Sequence, residues 1–315
     1  MLLSLVIPCY NEQANIPVFY ETVQQAFANT PYTLELVFVN DGSSDKTLEE
    51  QKRLLEKEVC IKIIDFSRNF GKEAAMFAGL QHTSGDYVGI IDADLQQSPE
   101  TMVDMLKILQ NNPQYDCVAA YQKERKEGKV LSFFKRTFYK IINRLADVPF
   151  TNGASDFRVF TRKMADAMIS LPEYFRFSKG LFSYVGFQTY FYPYQAQPRT
   201  HGESKWSFRK LFGYAIEGIV SFSTAPLRFA TILGLLFSAA SFIYLIAVII
   251  EKLTFGVDVA GYPTIVVLIL LVGGIQLFAL GIIGEYLGRS YIETKNRPVY
   301  FIRDIYTNES DKSED

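Results

Sequence analysis

Histidine and cysteine are scarce in this sequence, with 2 and 3 residues among 315. Two histidines are too few for a metal site that depends on imidazole ligands. The cysteines, Cys9, Cys60 and Cys117, are far apart and odd in number, which excludes a disulfide framework and the paired spacing of a zinc site. We therefore expect reduced cysteines in the core.

An excess of charge of one sign is also absent. The 32 basic and 34 acidic residues give a formal net charge of −2, so no basic field indicates a nucleic-acid partner. The first residues, MLLSLVIPCYNEQ, lack the basic region and the cleavage site of a signal peptide. They are interpreted as a first β-strand that ends at Pro8.

Charge is missing altogether from two long apolar runs, residues 229–250 and 259–284. A helix rises about 1.5 Å per residue, so about 20 residues cross a hydrocarbon core of ~30 Å. We therefore expect two transmembrane helices, at about 227–250 and 263–287, within a unit at 227–290. The alternative is a buried helical hairpin in a large soluble core, which runs of this length without charge disfavour.

Basic residues flank this pair of runs on the outer sides. The loop between the runs, EKLTFGVDVAGYP, holds one lysine and two acids. The positive-inside rule therefore predicts a multi-pass protein of the inner or plasma membrane with its N-terminal region in the cytoplasm. The flanking residues are Arg199, Lys205, Arg209, Lys210 and Arg228 before the first run, and Arg289, Lys295, Arg297 and Arg303 after the second.

Strand and helix patterns alternate over residues 1–203. This alternation, with strands rich in valine and isoleucine, predicts an α/β domain with a mostly parallel, Rossmann-like sheet that helices cover on both faces. In such sheets, ligands bind beyond the carboxyl ends of the strands. The predicted strands are Leu2–Ile7, Leu34–Asn40, Cys60–Phe66, Tyr87–Asp92, Cys117–Tyr121 and Phe157–Phe160, and the predicted helices are Ile16–Ala28, Asp45–Glu56, Lys72–Gln81 and Pro99–Leu109.

Acidic residues follow three of the predicted strands, in the segments PCYNE, VNDGSSD and IDADLQ. Asp92 and Asp94 flank one residue, so in an extended segment both carboxylates would face the same way. They would repel each other unless a cation or a donor lay between them. Hard oxygen ligands suit Mg²⁺ or Mn²⁺, which usually bridge to substrate phosphates. A role as turn formers explains each acid alone, but it explains the three segments together poorly.

Six segments in order resemble the inverting glycosyltransferase family 2. They are VIPCYNE, VNDGSSDKT, SRNFGKEAA, IDADLQ, SDFRVF and RTHGESKWSF, and the match runs from about residue 4 to residue 212. Within that family they are similar to the polyprenyl-phosphate glycosyltransferases, which include bactoprenol glucosyltransferases and dolichol-phosphate mannose synthases. The two apolar runs that follow are typical of the bacterial bactoprenol branch.

The resemblance implies a GT-A fold that binds a nucleotide-diphosphate sugar, with Mg²⁺ or Mn²⁺ as cofactor. Gln122 stands where relatives often carry arginine, so Arg125 or Lys123 is expected to take its place. The implied roles are catalytic for Asp156, Asp94, Arg199 and Lys205; nucleotide-sugar binding for Pro8, Tyr10, Asn11, Glu12, Asp41, Asp92, Ala93 and Ser204; metal binding for Asp92, Asp94 and Gln96; and acceptor-phosphate binding for Arg125 and Arg136.

The expected reaction transfers a hexose, with glucose from UDP-glucose as the first choice, to polyprenyl phosphate. A phosphate monoester has a second pKa of about 6, so the acceptor needs no strong base. Asp156 is therefore interpreted as an orienting or electrostatic group, or as a base only in part. N-acetylglucosamine, galactose, mannose or an aminosugar such as aminoarabinose stay open. The other classes considered are a processive polysaccharide synthase and a non-catalytic membrane scaffold or sensor.

Two basic, aromatic-rich segments, residues 129–148 and 205–222, have helical spacing. Helices of this type lie in the membrane interface, although they could equally pack on the globular domain as ordinary amphipathic helices. The predicted organisation is thus a GT-A domain at 1–203, a juxtamembrane helix at 204–226, the two spans, and a cytoplasmic tail at 291–315. Small residues on the spans allow a homo-oligomer without requiring one.

Overall fold

The computed structural model describes residues 1–57, 59–122, 142–144, 146, 148–149, 151, 154–194, 220–255 and 261–308. The two predicted amphipathic segments lie largely outside these residues. The strands are β1 (Leu2–Cys9), β2 (Thr33–Asn40), β3 (Cys60–Phe66), β4 (Tyr87–Ile90), β5 (Cys117–Gln122), β6 (Ala154–Thr161), β7 (Thr189–Tyr194) and β8 (Ile302–Thr307). The helices are α1 (Ile16–Phe27), α2 (Thr47–Arg53), α3 (Lys72–Gln81), α4 (Pro99–Asn111), α5 (Arg162–Ile169), α6 (Ser178–Tyr184), α7 (Ala225–Phe255) and α8 (Tyr262–Thr294).

The strands form one eight-stranded sheet in the order β7-β5-β6-β4-β1-β2-β3-β8. The four strands β4, β1, β2 and β3 are parallel, as expected of a Rossmann-like core. The other strands make the sheet mixed, because β6 is antiparallel to β4 and β8 is antiparallel to β3. The predicted α/β class is confirmed.

Helices cover both faces of this sheet, and side chains of β1 pack on the helices of both faces. Leu3 and Leu5 belong to the core cluster that contains the buried faces of α1 and α4, while Val6 belongs to the cluster with α3, α5 and α6. A Cβ on Gly79 would lie 2.2 Å from Val6 Cγ1. The glycine therefore lets α3 pack closely on β1. This contact sets the position of α3, which begins near the carboxyl ends of the parallel strands.

Two strands were not predicted, and several predicted boundaries differ from the structure by one to three residues. β7 contains Pro193 and lies at one edge of the sheet, where a missing backbone donor is tolerated. β8 follows the second apolar helix, in a segment that had been assigned to a tail. β4 ends at Ile90 instead of Asp92, because the chain turns after the strand.

The two C-terminal helices contain windows that are long and apolar enough to cross a bilayer. These windows are Ala225–Tyr244 and Leu271–Thr294, with mean hydropathies of 1.6 and 1.5. Their apolar side chains face outward, since Leu235 and Leu277 are each 71% exposed. This exposure disfavours the alternative of a hairpin buried in a soluble core and indicates membrane association.

A buried acidic side chain joins β1, β2 and β3 at the end of the sheet opposite to the carboxyl ends of its parallel strands. Glu35 is fully buried and accepts hydrogen bonds from Lys62 Nζ and Ser84 N, each at 2.8 Å, and from the Ser4 hydroxyl. Burial opposes its ionisation, but the bonds from Lys62, Ser4 and Ser84 outweigh burial and lower the pKa of Glu35. The carboxylate is therefore ionised and satisfied at neutral pH.

Replacing Glu35 by glutamine should lower the free energy of unfolding by about 1–3 kcal/mol, because buried donors and Lys62 lose a charged acceptor. Thermal or denaturant unfolding in detergent measures the change. The matched control is Glu50→Gln, which removes a surface pair with Arg53 and should cost less than about 1 kcal/mol. Equal losses in the two variants would contradict the structural role of Glu35.

Candidate active site

Five strands bring residues to the edge of the sheet formed by the carboxyl ends of its parallel strands, which is called the acidic edge below. The parallel strands β1, β2, β3 and β4 have their carboxyl ends there. β6 runs antiparallel to β4, with Arg158 opposite Ile90, so β6 begins at the same edge. Asp156 is the third residue of β6, and Asp92 follows the end of β4, so both lie at this edge. The topology thus brings together two acids that are far apart in the sequence.

The ammonium group of Lys72 lies between these two carboxylates. Lys72 Nζ is 2.6 Å from Asp92 Oδ1, 2.9 Å from Asp92 Oδ2 and 3.3 Å from Asp156 Oδ2. Lys72 is the first residue of α3, directly after the loop that leaves β3. The cation that relieves the repulsion between the acids is therefore supplied by the protein itself.

This contact shifts the pKa values of Lys72 and Asp156. Burial alone would raise the pKa of Asp156, but the charges of Lys72, Lys179 and Arg158 outweigh burial and lower it to about 2. Burial opposes the charge of Lys72, but Asp92 and Asp156 raise its pKa well above the ordinary value. At neutral pH, Lys72 and Asp156 therefore both carry charge, and Asp156 is a weak base.

The segment after β4 is a turn and not the extended chain that was expected around the two acids. Leu95 has a left-handed backbone, with φ of 56°. The Gln97 side chain accepts from Asp92 N at 3.0 Å and donates to Asp92 Oδ2 at 3.1 Å. Asp94 Oδ1 accepts from Gln96 N at 3.1 Å. Asp92 and Asp94 therefore have different hydrogen-bond partners within the turn. The expectation that both carboxylates face the same way, as in an extended strand, does not apply.

The predicted metal ligands are Asp92, Asp94 and Gln96. Within the described residues, no three histidine, cysteine or carboxylate side chains converge as a closed cation site. Two carboxylates and an amide oxygen are nonetheless the hard oxygen ligands that Mg²⁺ and Mn²⁺ prefer, and Mg²⁺ usually keeps water and substrate phosphates as further ligands. The residues present therefore fit such a cation as part of its ligand set.

The loops after β1 and β2 are joined by a network of hydrogen bonds. Asn11, with a positive φ of 57°, accepts from Ser44 N through Oδ1 at 2.8 Å, and Asn11 N donates to Ser43 Oγ at 3.0 Å. Glu12 N donates to Thr47 Oγ1 at 2.8 Å. These bonds join residues of PCYNE to residues of VNDGSSDKT and so form one wall of the site.

Asp41 connects this wall to the loop after β3. Its carboxylate accepts from Phe70 N at 2.6 Å and from Gly71 N at 3.0 Å, and it is 3% exposed. Burial raises the pKa of Asp41, and these backbone bonds oppose the rise in part. Gly42 has a φ of 61°, and a Cβ there would lie 2.4 Å from the Arg68 carbonyl carbon. A glycine is therefore required where the two loops meet.

Glu73, in the first turn of α3, binds the first residue of α6. Glu73 Oε2 accepts from Ser178 N at 3.0 Å and from the Ser178 hydroxyl. Burial and the nearby charge of Asp156 raise the pKa of Glu73 to about 7, although the bonds from Ser178 and the charge of Arg176 oppose the rise. The contact ties α6 to the helix that carries Lys72.

The predicted site residues divide into two groups. One group lies at this edge of the sheet, at or after the ends of β1, β2 and β4 and near the start of β6: Pro8, Tyr10, Asn11, Glu12, Asp41, Asp92, Ala93, Asp94, Gln96 and Asp156. Five others lie outside the described residues: Arg125, Arg136, Arg199, Ser204 and Lys205. Their roles stay predictions.

Three residues of the site were missed by sequence reasoning: Lys72, Glu73 and Gln97. The sequence did contain a signal for Lys72 and Glu73. Their segment, SRNFGKEAA, follows β3, which ends at the same edge as β1, β2 and β4, so its polar residues could have been assigned to the site. The signal for Gln97 was weaker. Two adjacent glutamines follow Leu95, and only the left-handed turn decides which of them bonds to Asp92.

The family comparison agrees with this geometry. The profile described as "Glycosyl transferase family 2" matches residues 4–169, and the one described as "GtrB C-terminal hairpin" matches residues 225–290. The chain therefore belongs to glycosyl transferase family 2, with a GT-A domain followed by a two-helix hairpin.

Individual relatives match over almost the whole chain. The SfII prophage-derived bactoprenol glucosyl transferase of Shigella flexneri is 42% identical over 96% of this chain and 98% of its own length. The prophage bactoprenol glucosyl transferase homolog of Escherichia coli (strain K12) is 39% identical over 97% and 99%. A crystal structure of glucosyl-3-phosphoglycerate synthase from Mycobacterium tuberculosis covers 70% of this chain and 76% of its own, with 16% identity and a TM-score of 0.49. That distant likeness says nothing about ligands.

Replacing Lys72 by methionine should lower kcat for glycosyl transfer by about 100-fold or more, because the two acids lose the preorganised charge between them. Steady-state transfer assays measure the change. Lys107→Met is the matched control, since Lys107 is an exposed residue of α4 paired with Asp104 at 3.6 Å. Its kcat should stay within about twofold of the wild type. Full turnover by Lys72→Met would show that the bridge has no part in catalysis.

Proposed function

We propose that the protein transfers glucose from UDP-glucose to a polyprenyl phosphate on the cytoplasmic face of the membrane, with inversion at the anomeric carbon. The observation that carries this proposal is the full-length similarity to proteins named bactoprenol glucosyl transferase, which includes both the transferase domain and the hairpin. The acidic edge of the sheet is the site to which we assign the reaction.

In this reaction an oxygen of the lipid phosphate attacks the anomeric carbon of the sugar. The bond from that carbon to the diphosphate oxygen breaks, and UDP leaves with the electron pair. In-line attack inverts the configuration, so an α-linked donor gives a β-linked lipid. The acceptor is mostly a dianion at pH 7, because its second pKa is about 6, and no proton has to be removed.

The residues after β4 are assigned to the diphosphate. We assign Asp94 to a divalent cation, with Asp92 and Gln96 beside it, since their oxygens are ligands that Mg²⁺ or Mn²⁺ prefer. When bound, such a cation neutralises charge that develops on the leaving diphosphate. Lys72 holds Asp92 in place at 2.6 Å and contributes its own positive charge to the same edge.

Asp156 acts as an electrostatic and orienting group in this scheme. Its low pKa makes it a poor base, and its Oδ2 is 3.3 Å from Lys72 Nζ. Its Oδ1 is buried and lacks a hydrogen-bond partner among the described residues. We assign that oxygen to a hydroxyl of the sugar, because a buried carboxylate oxygen otherwise loses its solvation without compensation.

Two observations support a topology in which both ends of the hairpin are cytoplasmic. β8 follows the second apolar helix and pairs with β3 of the transferase domain, so the chain returns to the side of the membrane that holds this domain. The excess of basic residues outside the pair of spans indicates that this side is the cytoplasm. In the proposed organisation the juxtamembrane segment is 204–226 and the cytoplasmic segment after the spans is 291–315.

The function is tested with purified protein in liposomes that contain undecaprenyl phosphate, using a panel of UDP- and GDP-sugars. We expect a lipid-soluble, acid-labile product with UDP-glucose, and its loss when EDTA removes the divalent cation. Asp94→Asn should lower the rate by about 100-fold or more. Asp104→Asn, at an exposed position of α4, is the matched control and should leave the rate unchanged.

Three results would contradict the proposal. An undiminished rate for Asp94→Asn in EDTA would remove the cation from the mechanism. A long polymer would favour a processive synthase, and the absence of product with every donor would favour a scaffold or sensor.

The pH dependence distinguishes an orienting role of Asp156 from that of a general base. The rate should fall as the pH drops through about 6, because the acceptor phosphate gains a proton there. Asp156→Asn should lower kcat about 10- to 100-fold and keep this acidic limb unchanged. Transfer rates between pH 5 and 8 measure both. Disappearance of the limb in the variant would identify Asp156 as the titrating base.

A further inference from the structure

A short strap, residues 174–178, runs between the second membrane helix and the active site. At one end, Glu293 Oε1 near the end of α8 accepts from Tyr174 N at 3.0 Å and from Phe175 N at 3.3 Å. The Arg289 guanidinium lies 5.0 Å from the centre of the Phe175 ring. The strap is therefore attached to the part of α8 that projects toward the transferase domain.

At its other end the strap reaches the helix that carries Lys72. Ser178 donates two hydrogen bonds to Glu73. The next two residues are Lys179 and Gly180, and a Cβ on Gly180 would lie 2.3 Å from Phe222 Cε2. Phe222 lies three residues before α7. Lys179 is thus located between the acidic edge of the sheet and the start of the first membrane helix.

Three cations lower the pKa of Asp156, and they lie on three different elements of the fold, α3, β6 and α6. Lys72 binds both Asp92 and Asp156. Arg158 is 4% exposed, donates to Ser155 O at 2.7 Å and stacks on the Phe182 ring at 3.8 Å. Lys179 is half-buried, and its charge helps to lower the pKa of Asp156. Of the three, Lys179 is the one that lies on α6, beside the membrane helices.

We propose that Lys179 binds the phosphate of the lipid acceptor and holds it against the sugar. This inference rests on the proposed transfer to a polyprenyl phosphate. An acceptor that attacks in line must approach on the side of the sugar away from the diphosphate, and it must come from the membrane. Lys179 meets the second condition, because it precedes Gly180, which packs on Phe222 beside the start of the first membrane helix.

The chemistry of lysine suits this task. An ammonium group is a compact charge with three donors on a flexible stem, and it binds phosphate oxygens without imposing a planar geometry. The strap limits how far the backbone of Lys179 can move, since Glu73 and Glu293 hold its two ends. The acceptor phosphate would therefore be positioned relative to both the membrane helix and α3.

The test compares Lys179→Met and Lys179→Gln with the wild type in neutral phosphatidylcholine liposomes that contain undecaprenyl phosphate. We expect KM for undecaprenyl phosphate to rise about 10- to 100-fold, because a charge-assisted hydrogen bond is lost. KM for UDP-glucose and the unfolding temperature should stay at the wild-type values. Lys179→Arg should restore most of the affinity for the acceptor.

Lys163→Met is the matched control, because Lys163 is an exposed residue of α5 that lies over the Phe187 ring at 5.1 Å. Its KM for both substrates should equal that of the wild type. An acceptor KM of Lys179→Met equal to that of the wild type would overturn the assignment. A rise in KM seen only after phosphatidylglycerol is added would also overturn it, since that result indicates binding to the anionic bilayer surface.

The same assay separates this inference from the proposed function. If the wild-type protein transfers no sugar to undecaprenyl phosphate, the proposed function and the assignment of Lys179 both fail. If the wild type transfers sugar and both Lys179 variants keep the wild-type acceptor KM, only the assignment of Lys179 fails.

Discussion

The contact of Lys72 with Asp92 and Asp156 is the interaction on which the site depends. It joins the turn after β4 to the start of β6, two segments that approach each other only because β6 is antiparallel to β4. Without the ammonium group, two partly buried carboxylates at one edge of the sheet would repel each other. With it, the pKa of Asp156 is lowered and the pKa of Lys72 is raised, so the site holds charge of both signs.

Acidic side chains and strand pairing also connect the site to the hairpin. Glu73 and Glu293 each bind backbone donors at one end of the strap, and β8 returns from the second membrane helix to pair with β3. The transferase domain is therefore held to the hairpin at two separate places. A reaction between a soluble nucleotide sugar and a lipid phosphate benefits from such attachment, because a displacement of about 1 Å at the reacting atoms is costly.

Much of the fold could be predicted from the sequence, because its signals are local. Alternating strands and helices, the uncharged runs and the acids at strand ends all depend on residues close in the chain, and Lys72–Gln81 was predicted with its observed bounds. β7 and β8 were missed for a physical reason. Both are edge strands with many exposed side chains, and β7 also contains a proline, so their pairing depends on partners that are distant in sequence.

By itself, the sequence determined the α/β class, the pair of apolar helices and the acidic edge of the sheet, since periodicity and strand ends set these features. Only the tertiary structure decided how the edge is neutralised. Lys72 reaches Asp156 because α3 packs closely on β1 through Gly79, and Gln97 binds Asp92 because Leu95 adopts a left-handed turn. The first contact joins residues that are distant in sequence, and the second depends on one backbone angle. A local pattern of residue types predicts neither of them.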